Sequence, residues 1–224
     1  MKLYCHPIST TSRPVMLFIA EQRLPVQLQV VDLFRGEHTQ PDYAAINPNK
    51  LVPVLNDGDF VLTESAAILK YLADAFNLNA YPKAPRERAR VNERMDWVNT
   101  QLCNDLAYGL VYPQIFDSHK RRNGDAQHAT LQRGQERARF WLQVMNDHLL
   151  GVGCNYLCGD TITIADYHAA SFVKLAEVVR SDLSRFPHVQ HWLRRMKSLP
   201  SWPQVYEVID GFAASFKGLP MATV

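Results

Sequence analysis

Residues 52–76, VPVLNDGDFVLTESAAILKYLADAF, combine two short apolar segments, a turn sequence between them and a helical pattern after them. The segments VPVL and FVLT have the length and composition of short strands. The Asp57-Gly58 pair between them is a strong hairpin signal, because this dipeptide tolerates the positive φ angles of a tight turn. The pattern that follows places four apolar residues on one helical stripe: Ile68, Leu69, Leu72 and Phe76. The stretch therefore predicts a β-hairpin followed by a helix.

The residues before this hairpin predict a strand, a helix and a second strand. KLYCH (2–6) and VQLQVVDL (26–33) have strand-like apolar patterns, and SRPVMLFIAEQRL (12–24) is typical of a helix. Ser12 stands near the expected cap of this helix, with Pro14 in its first turn. A polar loop, residues 34–50, follows. The order β-α-β-loop-β-β-α predicts a small mixed sheet covered by helices.

The pattern changes after Phe76. Residues 79–87 are polar and contain proline, which is typical of a linker. Beyond them we expect helices only. Long helical stripes contain Val91, Met95, Val98, Leu102 and Leu106, then Ala138, Leu142, Met145 and Leu149; segments 163–179, 188–196 and 202–216 predict three more helices. The chain is thus predicted to have an α/β domain (1–78), a linker (79–87) and an all-helical bundle domain (88–224).

Composition narrows the function classes. Of 224 residues, 47% are hydrophobic and 21% charged, and the net charge is +2, so neither nucleic acid nor a membrane surface is an expected partner. No apolar run approaches a membrane span and the start lacks a signal-peptide pattern, so we expect a cytoplasmic protein. The four cysteines, Cys5, Cys103, Cys154 and Cys158, match no zinc or redox spacing; we expect reduced thiols and no bound metal.

The segment CHPISTTSRPV (5–15) poses a chemical question. Ser9 and Ser12 have the spacing of a C-x-x-C redox pair, but hydroxyls replace both sulfurs, and Thr10 and Thr11 lie between them. Ser9 stands between a strand end and a helix start. From the residues alone it is either a helix cap or a hydroxyl used in chemistry. Nothing resembles the G-x-S-x-G pattern of serine hydrolases.

Two further features of the first domain are candidates for binding. If the Val52–Pro53 bond is cis, it turns the backbone of Val52 outward, open to pairing with an extended ligand. Glu64 and Ser65 open a helix, whose free N–H groups and positive dipole suit a carboxylate. The alternative is ordinary capping, with Thr63 or Ser65 as the cap and Glu64 in the first turn.

Four motifs occur together: LYCHPISTTSRPV, VVDLFRGEH, INPNKLVPVLNDGDFVLTESAAILKYL and TITIADY. In this order and spacing the sequence resembles cytosolic glutathione S-transferases, most closely their serine-type theta and delta classes. The resemblance covers nearly the whole chain. It implies a thioredoxin-like, glutathione-binding first domain and a helical second domain. It also implies a homodimer and the transfer of glutathione to a small hydrophobic electrophile, such as an alkyl halide or an epoxide.

The resemblance also implies individual roles. Ser9, in the pattern S-x-x-S-R, matches the catalytic serine that donates a hydrogen bond to the glutathione thiol, and Thr10, Thr11 and Ser12 offer rival hydroxyls. Six residues match the glutathione-binding positions: His38, Lys50, Val52, Pro53, Glu64 and Ser65. Thr163 and Asp166 match a structural helix-capping box. Because a free thiol is only a few per cent ionised at neutral pH, a hydroxyl donor that stabilises the anion would activate it.

Three aromatic residues, Tyr108, Tyr112 and Phe116, fit an electrophile pocket, although aromatic residues on a long helix commonly belong to the core. Two other functions stay open at this point. One is a glutathione-dependent peroxidase or reductase on the same scaffold. The other is a non-catalytic interaction module, against which the intact set of Ser9, Val52, Glu64 and Ser65 argues.

Overall fold

A computed structural model describes residues 1–151 and 153–224. The first part of the chain forms a four-stranded mixed sheet in the order β2-β1-β3-β4. Its strands are β1 (Lys2–Cys5), β2 (Gln27–Val30), β3 (Val54–Asp57) and β4 (Phe60–Thr63). Strand β1 pairs parallel with β2 and antiparallel with β3, and β3 and β4 form the hairpin. The predicted fold class, a thioredoxin-like domain followed by a helical domain, is confirmed.

Three helices accompany the sheet: α1 (Ser12–Glu21), α2 (Pro41–Ile46) and α3 (Ser65–Ala75). The prediction of a polar loop over 34–50 missed regular structure, because a 3₁₀ turn at Glu37–Thr39 and α2 lie within this segment. Pro41 at the first position of α2 needs no hydrogen-bond acceptor there, which suits a helix start in a polar segment. Strand β3 begins at Val54, two residues later than its apolar pattern indicated, since Val52 and Pro53 form a bend.

The second part of the chain is helical throughout its regular elements. They are α4 (Pro85–Trp97), continued by a π-helical segment (Val98–Val111) and α5 (Tyr112–Ile115); a 3₁₀ turn (Asp117–His119); α6 (Gly124–Val144), continued by a π-helical turn (Met145–Leu149); α7 (Ile164–Val178); α8 (Pro187–Lys197); and α9 (Trp202–Ala214). Helix α4 begins inside the segment expected to be a linker. None of the helices in the described residues is long and apolar enough to cross a membrane.

Helix α7 forms the centre of the helical domain, and all of its residues except Glu177 are buried. The predicted capping box at its start is present: the Asp166 carboxylate accepts hydrogen bonds from the Thr163 amide (2.9 Å) and hydroxyl (3.0 Å). The same carboxylate accepts from the Leu157 amide at 2.8 Å and from the Trp192 indole at 2.9 Å. One buried side chain therefore fixes the start of α7, the preceding loop and α8.

The two domains share one hydrophobic core, in which α1 packs on α7. Phe18 of α1 meets Tyr167 of α7 edge to face, with ring centroids 5.1 Å apart. Polar contacts reinforce this junction, since the Glu21 carboxylate accepts the Ser201 amide at 2.6 Å and Ala80 O accepts the Ile164 amide at 2.9 Å. The C-terminal half of α1 is thereby held at the boundary between the domains.

Helix α6 crosses the π-helical segment at a contact between two glycines. A Cβ atom built on Gly134 would lie 2.3 Å from the carbonyl oxygen of Gly109 and 2.9 Å from the amide nitrogen of Leu110. Both are backbone atoms, which cannot rotate away. Glycine at position 134 therefore permits this close approach of the two helices.

We expect Gly134→Ala to lower the free energy of unfolding by about 2–3 kcal/mol or more, since the added methyl group forces the two backbones apart. Gly124→Ala is the matched control in the same helix, because a Cβ atom there meets nothing within 4 Å. Urea unfolding of both variants measures the difference. Equal midpoints for the two variants would contradict the proposed contact.

Candidate active site

The loop between β1 and α1 places Ser9 at the start of α1. Ser9 is partly buried, and its Oγ accepts a hydrogen bond from the Ser12 amide at 3.2 Å. The prediction that Ser12 caps this helix was wrong. Its side chain is fully buried, and its Oγ accepts the His6 amide at 3.4 Å. Ser9 therefore caps the helix with its oxygen, which leaves its hydroxyl hydrogen for another partner.

The loop is linked to the bend at Val52. Ser9 Oγ lies 3.1 Å from Thr11 Oγ1, and the Thr11 hydroxyl donates to Val52 O at 3.0 Å. The Val52–Pro53 peptide bond is cis. Among the hydrogen bonds of the described residues, none is donated by the Val52 amide. Val52 thus offers an extended ligand one free donor and a carbonyl shared with Thr11.

Two residues that the sequence reasoning missed shape the segment before Val52. The Tyr43 hydroxyl of α2 and the Asn47 side-chain amide donate to Leu51 O at 2.7 and 2.8 Å. Both donors are buried residues, whereas Leu51 is 62% exposed. The only sequence signal for this anchor was the Asn-Pro pair at the end of the polar loop, which indicates a turn.

Among the described residues, no side chain caps the start of α3. The alternative interpretation, in which Thr63 or Ser65 caps this helix, is therefore wrong. Glu64 precedes the helix with φ of +65°, a left-handed value that is costly for a residue with a side chain. Ser65 is buried, whereas Glu64 is exposed. The register that pairs Val54 with Thr63 brings this helix start level with Val52.

The side chains of His38 and Lys50 do not belong to the hydrogen-bonded group of Ser9, Thr11 and Val52 in the described residues. His38 belongs to the 3₁₀ turn, and its Nδ1 is enclosed without a hydrogen-bond partner among the described residues. Lys50 is exposed and has φ of +56°. In the described part of the chain, no hydrogen bond joins either side chain to Ser9 or Thr11.

Behind the loop lies Arg13, the second residue of α1, which is fully buried. Its Nη1 donates to Ile8 O at 2.7 Å and to Pro7 O at 3.2 Å, and its Nη2 donates to Thr10 Oγ1 at 3.5 Å. The guanidinium also faces the Tyr206 ring of α9, 5.4 Å from its centroid. Burial lowers the pKa of Arg13 from its ordinary value, while Tyr206 opposes this effect.

A chain of aromatic rings from both domains begins at His6, next to the loop. Successive centroid distances of 5.5, 6.4, 5.9 and 5.5 Å join five of them in the order His6, Phe34, Phe212, Phe116 and Tyr112. Tyr112, the last of these rings, also lies next to the loop, because its hydroxyl is beside the Thr10 side chain. Burial raises the pKa of Tyr112 above its ordinary value.

The predicted pocket residues occupy one side of this aromatic enclosure, which also includes residues that sequence reasoning missed. Tyr108 is 52% exposed, and its ring centroid lies 5.0 Å from that of Tyr112. Phe34 and Phe212 were not predicted, because a lone aromatic in a polar loop and one on a distant helix give no joint signal. His119 was also missed; its ring centroid lies 5.2 Å from that of Tyr112.

Fold and site together define a thioredoxin-like protein in which hydroxyls replace the redox cysteines. Family patterns agree: "Glutathione S-transferase, N-terminal domain" matches residues 8–75, and "Glutathione S-transferase, C-terminal domain" matches residues 110–200. A crystal structure of a possible glutathione S-transferase from Rhodopseudomonas palustris is 32% identical, with a TM-score of 0.76, covering 89% of this chain and 86% of that one. The chain belongs to the glutathione S-transferase family.

The relatives include theta-class proteins. Human glutathione S-transferase theta-1 is 38% identical over 118 residues, which are 52% of this chain and 49% of that protein. The match to the curated relatives thus spans about half of their length. The structure of human glutathione-S-transferase T1-1 in its apo form is 29% identical, with a TM-score of 0.80, covering 99% of this chain and 92% of that one. The chain is therefore theta-like in both sequence and fold.

We expect Arg13→Lys to lower the free energy of unfolding by about 2–5 kcal/mol, because an ammonium cannot reproduce the forked contacts with two carbonyls and a hydroxyl. Chemical denaturation measures the loss. The control is Arg194→Lys on the exposed side of α8, which should change stability by no more than about 0.5 kcal/mol. A similar small change in both variants would show that the buried fork is not needed.

Proposed function

We propose that this protein is a glutathione transferase that activates the thiol of glutathione for attack on a small electrophile. The observation that carries the proposal is the position of Ser9. Its hydroxyl stands at the start of α1, one hydroxyl away from the backbone of Val52, whose amide has no partner among the described residues. This arrangement can hold an extended thiol peptide and donate a hydrogen bond to its sulfur.

Thiol activation by Ser9 follows from electrostatics. A hydroxyl that donates to sulfur stabilises the thiolate over the thiol, which lowers the pKa of the thiol. The positive end of the α1 dipole acts in the same direction. The thiol gives its proton to solvent, and the thiolate then forms a bond to the electrophilic carbon. A halide leaves with the electron pair of the broken bond, or a strained ring opens to an alkoxide that takes a proton from solvent.

Different groups of the protein suit the two ends of the peptide. Uncapped amides at the start of α3, with the buried Ser65 hydroxyl, suit the γ-glutamyl carboxylate, and Glu64 suits the neighbouring amino group. Val52 pairs with the central cysteine, and the cis Pro53 holds Val52 in the bend. The exposed Lys50 and the side chain of His38 suit the glycyl carboxylate at the other end.

An apolar electrophile suits the aromatic enclosure next to Ser9. Tyr108, Tyr112 and Phe116 line one side of it in this proposal, with Phe212 stacked on Phe116 at an interplanar angle of 18°. The theta-like sequence favours small alkyl halides or epoxides as substrates. A role in detoxification and a cytoplasmic location are further parts of the proposal.

Two variants test the assignment of binding and activation to different residues. Ser9→Ala should keep glutathione affinity but raise the pKa of the bound thiol, and should lower turnover by about 10- to 1000-fold, like the loss of one oxyanion-hole donor. Ser65→Ala should instead weaken glutathione binding by about 1–3 kcal/mol, the cost of a lost hydrogen bond to a charged group. Calorimetry and the ultraviolet absorbance of the bound thiolate measure the two effects. An unchanged thiol titration in Ser9→Ala would refute the catalytic assignment.

We also propose a two-fold homodimer in which each first domain faces the helical domain of its partner. Apolar side chains on the edge strand β4 support this, since Phe60 and Val61 are 45% and 42% exposed. Light scattering at micromolar concentration should give about twice the chain mass of 25.6 kDa. A monomer at that concentration would overturn the proposed assembly.

A further inference from the structure

The hydroxyls of Ser9 and Thr11 and the carbonyl of Val52 form a hydrogen-bonded chain. Ser9 Oγ lies 3.1 Å from Thr11 Oγ1, which lies 3.0 Å from Val52 O. A carbonyl oxygen only accepts hydrogen bonds, so Thr11 gives its single hydroxyl hydrogen to Val52. Thr11 is therefore the acceptor in its contact with Ser9, and the Ser9 hydrogen points to Thr11. For Ser9 to donate to a sulfur atom, this direction has to change.

Thr11 is thus attached to both halves of the proposed site. The Thr11 oxygen accepts a hydrogen bond from Ser9, the residue proposed to activate the thiol. The Thr11 hydrogen is donated to the Val52 carbonyl, with which the peptide is proposed to pair. Ser9 is fixed on its other side by the Ser12 amide, 3.2 Å from Oγ. A change at Val52 can therefore reach Ser9 through one intervening side chain.

We infer that Thr11 is a positioning residue that couples peptide pairing at Val52 to thiol activation by Ser9. The inference rests on the proposed function. When the amide of the bound peptide also donates to Val52 O, two donors share one acceptor, and the hydrogen bond from Thr11 becomes weaker than it is alone. The Thr11 hydroxyl turns and donates to Ser9 Oγ, and the Ser9 hydrogen turns to the sulfur. Only O–H bonds rotate; no proton changes its oxygen.

The reversed chain makes Ser9 a better donor. Its oxygen then accepts two hydrogen bonds, from Ser12 N–H and from Thr11 O–H. Hydrogen bonds in a chain polarise one another, so each one strengthens the next. Removing the Thr11 hydroxyl has two consequences of opposite sign. The peptide amide becomes the sole donor to Val52 O, so the peptide binds more tightly. Ser9 Oγ loses the hydrogen bond from Thr11, so Ser9 becomes a weaker donor to the sulfur.

The test uses Thr11→Val, which removes the hydroxyl at nearly constant shape, and Thr11→Ser, which keeps it. S-Methylglutathione reports peptide binding without thiol ionisation, and its affinity for Thr11→Val should rise about two- to tenfold, the value of one competing hydrogen bond. The thiolate fraction of bound glutathione, measured by ultraviolet absorbance below the titration midpoint, should fall about two- to tenfold in the same variant. Thr11→Ser should behave as the wild type in both measurements.

Two further comparisons make the result decisive. In a Ser9→Ala background, Thr11→Val should no longer change the thiolate fraction, because Thr11 acts through Ser9. Thr10→Val is the neighbouring control, since the Thr10 hydroxyl contacts Arg13 and not Ser9; it should not produce the pair of opposite effects. Loss of both affinity and ionisation in Thr11→Val, or no change in either, overturns the inference. If the wild type itself fails to bind glutathione or to lower its thiol pKa, the proposed function fails, and the inference with it.

Discussion

The geometry of the site depends on the contacts of one buried cation, the Arg13 guanidinium. It holds Pro7 and Ile8 by their carbonyls on one side and faces the Tyr206 ring of α9 on the other. The loop from β1 to α1 is thereby fixed to the helical domain as well as to its own helix. Because a buried cation needs hydrogen-bond acceptors, and the loop carbonyls supply them, the loop has little freedom to move away from it.

Backbone groups supply much of the proposed binding surface. The Val52 amide has no hydrogen-bond partner among the described residues, and two donors to Leu51 O fix the bend before β3. The start of α3 follows the hairpin directly, so the sheet register fixes how far these amides lie from Val52. Side chains such as Ser9 and Ser65 then need to supply only a few directed hydrogen bonds. A rigid backbone frame of this kind suits recognition of a peptide by its main chain.

The helical domain contributes the apolar part of the site. Its capping box, built on Asp166, fixes α7 and α8, and α7 in turn supports α1 through Tyr167. Rings from α5 and α9 complete an enclosure that begins at Phe34 in the first domain. The enclosure exists only where the domains meet. The chemistry proposed for Ser9 would therefore depend on the same core that joins the two domains.

The amino-acid sequence by itself determined the order of the strands and of the helices other than α2, the hairpin at Asp57-Gly58 and, through resemblance, the capping box and the family. The elements and the hairpin rest on local periodicity and turn chemistry, which neighbouring residues carry together, whereas the capping box and the family rest on motifs that resemble those of glutathione S-transferases. Only the tertiary structure decided that Ser9 rather than Ser12 caps α1, and that Thr11 reaches Val52, 41 positions away. The contact between the Phe34 and Phe212 rings is likewise seen only in the tertiary structure. Such contacts join residues far apart in the chain, and a hydroxyl or a ring gives no sequence signal of the partner that folding brings to it.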